Sequence, residues 1–197
     1  MPTRWRDDDG VTMIEMVVAM VVMMIFLGIF TGSMMLISKS EMKARAVSDT
    51  ADQVNRAFLW FDKKVRYASG VSSPGSSATA FYVELSNTGG GTQVCTQVRL
   101  VLATDQLQQR SWTVSGTTYT ALSGWTPFAD NITNTTTPFS VASTSTGSEA
   151  HQQLAVTLTA DKTSGDTTHS ASSFTLTAVN SPPPDQVGTV CQEVGRP

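Results

Sequence analysis

Glu15 is the one charged side chain in a run of 27 apolar and small residues, 11–37. A carboxylate inside a membrane-length segment is expensive, and such a group marks function by default. Its available chemistry is pairing with a cation, which offsets its burial. The residues before it form a charged decapeptide, MPTRWRDDDG, ending in Gly10. Cutting the chain after Gly10 would make the amine of Val11 a new cation. Four residues are about one helical turn, so that amine would lie only ~6 Å along the axis from the carboxylate. A secretory signal peptide has a different order: a basic region, a 7–15-residue apolar core, then a small-residue site. Here the hydrophilic part comes first and the apolar run is longer, so a cut after Gly10 would leave the membrane helix in place.

The junction Gly10-Val11-Thr12-Met13-Ile14-Glu15 resembles the processing site of type IV prepilins and pseudopilins. The resemblance implies that prepilin peptidase cuts after Gly10, that Val11 becomes a methylated N-terminus, and that Glu15 is the acid at the fifth mature position. The first mature residue in that family is usually Phe or Met, and here it is Val. It also implies other pilin or pseudopilin subunits as partners, an inner-membrane assembly platform, and a lipid bilayer before assembly. In such an assembly Glu15 pairs with the Val11 amine of a neighbouring subunit. The implied localisation is a single-pass cytoplasmic membrane protein, N-in and C-out, then a periplasmic or cell-surface filament. Charge does not set this orientation, because the leader carries a side-chain charge of only −1.

The run 11–37 is long enough to cross a bilayer, for which ~20 residues suffice. Helical spacing continues beyond it. Val47, Ala51, Val54, Phe58, Phe61 and Val65 recur at intervals of four and three, one apolar stripe on a helix. No proline occurs from 11 to 73. The expectation is one helix over about 12–67, ended by Gly70, Ser72, Ser73, Pro74 and Gly75. Gly28 and Gly32 form a small-xxx-small pair, flanked by Thr31 and Ser33. It reads as a helix-packing face, as a point of local melting, or as the ordinary glycine content of a membrane helix. Residues 39–66 carry seven cations and four acids, and residues 67–197 carry four cations and eight acids. The helix is therefore basic and the remainder acidic.

From about residue 69 the composition shifts to Ser, Thr and Gly with period-two alternation. About 125 residues suffice for one small domain. Strands are expected at 80–85, 93–103, 106–114, 117–122, 154–159 and 174–179. The turns fall at 89–91, at Ser115-Gly116 and at 161–166. Segment 124–147 lacks clean periodicity and reads as a surface excursion with a short strand near Phe139. The expected fold class is α+β and pilin-like, a long helix packed on an antiparallel sheet. The organisation is leader 1–10, transmembrane half 11–37, amphipathic half 38–68 and β domain 69–197. The stretch Phe58-Leu59-Trp60-Phe61-Asp62-Lys63-Lys64-Val65-Arg66-Tyr67-Ala68 further resembles J-type minor pseudopilins and W-type minor pilins.

Cys95 and Cys191 are even in number, which in an exported domain points to a disulfide, with two buried thiols as the alternative. No cofactor or metal is expected, since His151 and His169 are the only histidines and both lie in polar stretches. Asp161 and Asp166 lack the ligand density of an EF-hand loop. Asn131 and Asn134 head two glycosylation sequons in a Thr-rich segment where such patterns arise by chance. Trp112, Trp125 and Tyr119 read either as core or as a binding patch. An acidic domain argues against nonspecific nucleic-acid binding. The reading is a non-enzymatic minor type IV pilin. Its alternatives are a type II secretion pseudopilin and a filament-displayed adhesin or DNA-uptake receptor.

Overall fold

The computed structural model describes residues 12–88, 91–116, 118–143, 151–160, 170–181 and 190–191. The chain divides into two compact units, Met1–Arg45 and Ala46–Pro197. Helix α1 (Met13–Val65) runs from the first into the second. Its last turn carries Lys63 and Lys64, where the helix dipole favours cations. The Ala68 N–H then donates to the Val65 carbonyl at 3.0 Å, a tightened final turn. The helix ends at Val65, just before the expected breakers, and two of these, Gly70 and Gly75, open short strands, β1 (Gly70–Val71) and β2 (Gly75–Ser76). A Cβ added at Gly75 would overlap the Tyr82 ring, which would have to shift.

The second unit is built from strands β3 (Ala80–Asn87), β4 (Gln93–Val101), β5 (Gln106–Ser115), β6 (Thr118–Ala121) and β7 (Thr126–Ala129), followed by β8 (Phe139–Ser143), β9 (Gln152–Ala160) and β10 (Ser170–Ala178). Every pairing among the described residues is antiparallel. One sheet has the order β1-β3-β4-β5-β6, with β2 on β3 and β7 on β5; the other is β10-β9-β8. Gly116, with φ +60°, turns β5 into β6 at the expected dipeptide. Strand β4 ends earlier than expected, because Asp105 at φ 52° closes a tight turn that takes in residues 102–105. The Gly89–Gly90 and 161–169 turns lie outside the described residues.

Register sorts the larger sheet into two faces. Val83 lies opposite Val98, and Leu100 lies between Phe81 and Leu107. These side chains face the helix and the smaller sheet in one core with Phe61, Val65, Leu154, Val156 and Leu158. Glu84, Gln97 and Arg110 form one cross-strand row on the other face, and Tyr82, Arg99 and Gln108 form the next. Gln152, 1% exposed, stitches the two sheets together. Its Oε1 accepts the Val71 N–H at 2.7 Å and its Nε2 donates to the Val71 carbonyl at 3.2 Å. This satisfies a buried amide that would otherwise be costly.

The helix stripe differs from expectation. Thr50, Ala57, Phe61 and Val65 are buried, and Val54 is half-buried. Val47, Ala51 and Phe58 are exposed. The stripe covers 18 residues from Val47 to Val65, about five turns of 3.6, so it keeps its azimuth. The buried side is centred on Phe61 and takes in Thr50 and Ala57, which leaves Ala51 and Phe58 on its flank. Segment 124–147 is also not a surface excursion throughout. Ala129, Ile132 and Phe139 are core residues, and the Asn134 side chain bridges to β9. Asn134 Nδ2 donates to the Thr157 carbonyl at 2.9 Å and its Oδ1 accepts the Thr159 N–H at 2.8 Å. That amide is committed to the sheet and is unavailable as a glycosylation acceptor. Period-two reasoning missed the segment because side-chain bonds replace part of the backbone ladder.

Cys95 and Cys191 are joined as a disulfide, with Cα atoms 6.0 Å apart. It lies in a small cluster with Trp112, Tyr119 and Val190. Phe61 is the hub of the main core, with ring centroids of Phe128, Phe139 and Phe174 at 6.1, 6.0 and 6.1 Å. One helical side chain thus holds three strands. Phe61→Ala is expected to lower stability by about 3–5 kcal/mol in chemical denaturation of the full chain. A loss under about 1 kcal/mol would remove Phe61 from that role.

Candidate processing and assembly site

The helix begins at an N-cap. The Glu15 N–H donates to the Thr12 carbonyl at 3.0 Å and lies 3.4 Å from Thr12 Oγ1. Thr12-Met13-Ile14-Glu15 therefore has the form of a capping box, with the acid at the third helical position. A Thr-x-x-Glu pattern ahead of an apolar run is the sequence signal for this helix start. The dipole at a helix start also favours an anion there. Backbone geometry thus supports the Glu15 charge, yet its carboxylate has no cationic partner among the described residues. Gly10 and Val11 lie outside the described residues.

From Met13 to Ile37 every large apolar side chain is at least 50% exposed. Such a surface is foreign to water and marks a lipid or protein contact. The helix is long and apolar enough to cross a membrane. Its few polar groups are satisfied internally. Thr31 Oγ1 donates to the Leu27 carbonyl at 2.7 Å and Ser33 Oγ to the Ile29 carbonyl at 2.9 Å. Internal satisfaction is what a lipid-facing segment requires. A Cβ added at Gly28 or Gly32 would meet nothing within 4 Å. Neither glycine is needed for packing within the subunit, and the pair leaves a shallow notch one turn long.

A family model described as the prokaryotic N-terminal methylation motif matches residues 5–31. The match takes in the last six residues of the charged decapeptide, Gly10 included, with Glu15 and Gly28. The chain carries the type IV prepilin and pseudopilin signature. No curated protein and no solved structure matches it. The prepilin signature implies a structural subunit that meets other pilin subunits and is processed by prepilin peptidase. The exposed apolar helix fits membrane anchoring followed by a filament. The long helix and antiparallel sheets have the α+β architecture of pilins.

Gly32→Leu is expected to leave the helix content of the isolated chain unchanged in detergent, by circular dichroism. Measurable loss of helix would show that Gly32 serves the fold of the single subunit instead of contacts between helices.

Proposed function

We propose that the chain is a minor type IV pilin. Residues 1–10 are the leader, 11–37 cross the membrane N-in and C-out, and 38–68 continue the helix beneath a β domain carried outside. Prepilin peptidase cuts after Gly10 at the cytoplasmic face, and the freed amine of Val11 is methylated. Glu15 then pairs with the Val11 amine of a neighbouring subunit while Gly28 and Gly32 admit a close helix. The subunit initiates or joins the filament on the inner-membrane platform.

The observation that carries this reading is a lone carboxylate on a fully exposed apolar helix, one turn from a junction of prepilin type. In lipid alone that carboxylate is a liability, and against a neighbour's amine it is a register mark. The minor role is supported by the stretch 58–68. Phe61, Val65 and Ala68 point into the core, whereas Leu59 and Tyr67 stay 58% and 57% exposed and Lys63 also faces outward. Asp62 and Arg66 pair across one turn, and that hydrogen bond raises the Arg66 pKa. The same stretch favours, as a second reading, a pseudopilin of a type II secretion system. Adjacent genes separate the two, a retraction ATPase for one and a secretin with exoproteins for the other.

Gly10→Leu is expected to abolish processing, so intact-mass measurement should find the leader attached. Finding the cut product would displace the assigned junction. Glu15→Ala is expected to be cut normally, since the cap uses the Glu15 backbone and not its side chain. Its incorporation into filaments should fall at least tenfold in immunoblots of sheared fibres, and incorporation at the wild-type level would contradict the pairing.

A further inference from the structure

Residues 67–197 contain only four cations, and two of them sit on one ring. Arg99 on β4 stacks on Trp125 with its Cζ 3.7 Å from the ring centroid, and Arg110 on β5 lies 4.7 Å from the same ring. Two guanidinium groups held this close repel each other, and partial burial removes the water that would screen them. Burial and the charge of Arg110 both lower the Arg99 pKa.

Among the described residues, amides separate Arg99 from the nearest carboxylate. Arg110 Nε donates to Gln97 Oε1 at 2.8 Å, and Gln97 Nε2 donates to Glu84 at 3.0 Å. Arg99 Nε and Nη2 both donate to Gln108 Oε1, at 3.1 and 2.9 Å. Gln108 Nε2 then donates to Gln106 at 3.1 Å, and Gln106 Nε2 to Asp130 at 2.9 Å. Arg99 is therefore two amides away from that acid. A guanidinium has five N–H donors, and the described residues engage two of those of Arg99.

We propose that this corner of the outer sheet face binds an acidic saccharide. The spare donors of Arg99 receive its carboxylate, and the unused amide valences of Gln106 and Gln108 receive its hydroxyls. A guanidinium braced on one edge by Gln108 and on one face by Trp125 is preorganised for a planar oxyanion. The charge environment selects against polyanions, because Glu84 and Asp130 stand at the ends of the two relays and the domain is acidic overall. A ligand with one negative charge amid many hydroxyls fits one uncompensated cation amid neutral amides. This site does not depend on the assembly reading.

The test uses the full chain, disulfide intact, in a polyoxyethylene detergent that carries no sugar, with 15N-labelled tryptophan. Glucuronate should shift the Trp125 indole resonance saturably. Glucose and acetate should each bind at least tenfold more weakly. Arg99→Gln should lose at least tenfold in glucuronate affinity with unchanged circular dichroism, and Arg99→Lys should retain part of it. If Arg99→Gln fails to fold, the wild-type titration still decides. No saturable Trp125 response, or equal affinity in a folded Arg99→Gln, overturns the site. Equal binding of acetate, or tighter binding of a single-stranded oligonucleotide, overturns the saccharide assignment.

Discussion

The controlling constraint is an anion on an apolar helix with no cationic partner among the described residues. From Met13 to Ile37 the side chains present hydrocarbon on every side. The backbone and the hydroxyls are closed upon themselves, as lipid demands. Glu15 alone breaks that pattern. Its place in the first turn eases the charge through the helix dipole, but such help is worth at most ~2 kcal/mol and does not substitute for a counter-ion in a low-dielectric medium. A subunit built this way is incomplete in isolation. The cation that completes it is one that proteolysis can supply.

The second unit solves a different problem, which is to give a helix a folded cargo. Its final turns insert Ala57, Phe61 and Val65 into a core shared by both sheets. Phe61 meets three aromatic rings from three strands, and Trp60 Nε1 donates to Gln109 at 2.8 Å. The Cys95–Cys191 bond closes 96 residues of separation and fastens residues near the C-terminus to β4. In the chain-entropy view so long a loop gives a large stabilisation, about 4–5 kcal/mol. The core uses the helix-facing side of the sheet, and the opposite side carries rows of Arg, Gln and Trp in which Glu84 and Gln97 are buried.

The parts legible in sequence were those with strong periodicity or strong chemistry. The helix was readable over nearly its whole length because no proline interrupts it. Strands β3, β5, β9 and β10 were readable from alternation, and the Ser115-Gly116 turn from its need for positive φ. What escaped was set by tertiary contact. The stripe 47–65 looked continuous, yet the buried side of the helix is centred on Phe61 and takes in Thr50 and Ala57, leaving Ala51 and Phe58 on its flank. Ile132 and Ala129 are buried through an irregular path that no short-range pattern marks, and Asn134 stands in for a strand with its side chain. The stacking of Arg99 and Arg110 on Trp125 needs cross-strand register, which one-dimensional spacing does not reveal. At the N-terminus the reverse held. Glu15 was conspicuous as a charge, and its capping partner Thr12 was overlooked because the charge explained itself too readily.

The account rests on a new terminus one turn from Glu15. The most direct check is the N-terminal residue of the wild-type protein isolated from membranes of cells that contain prepilin peptidase, read by N-terminal sequencing and intact mass. The account predicts Val11 as the first residue, bearing one added methyl group. A protein that begins at Met1 or Pro2, or at any position beyond Glu15, would contradict it.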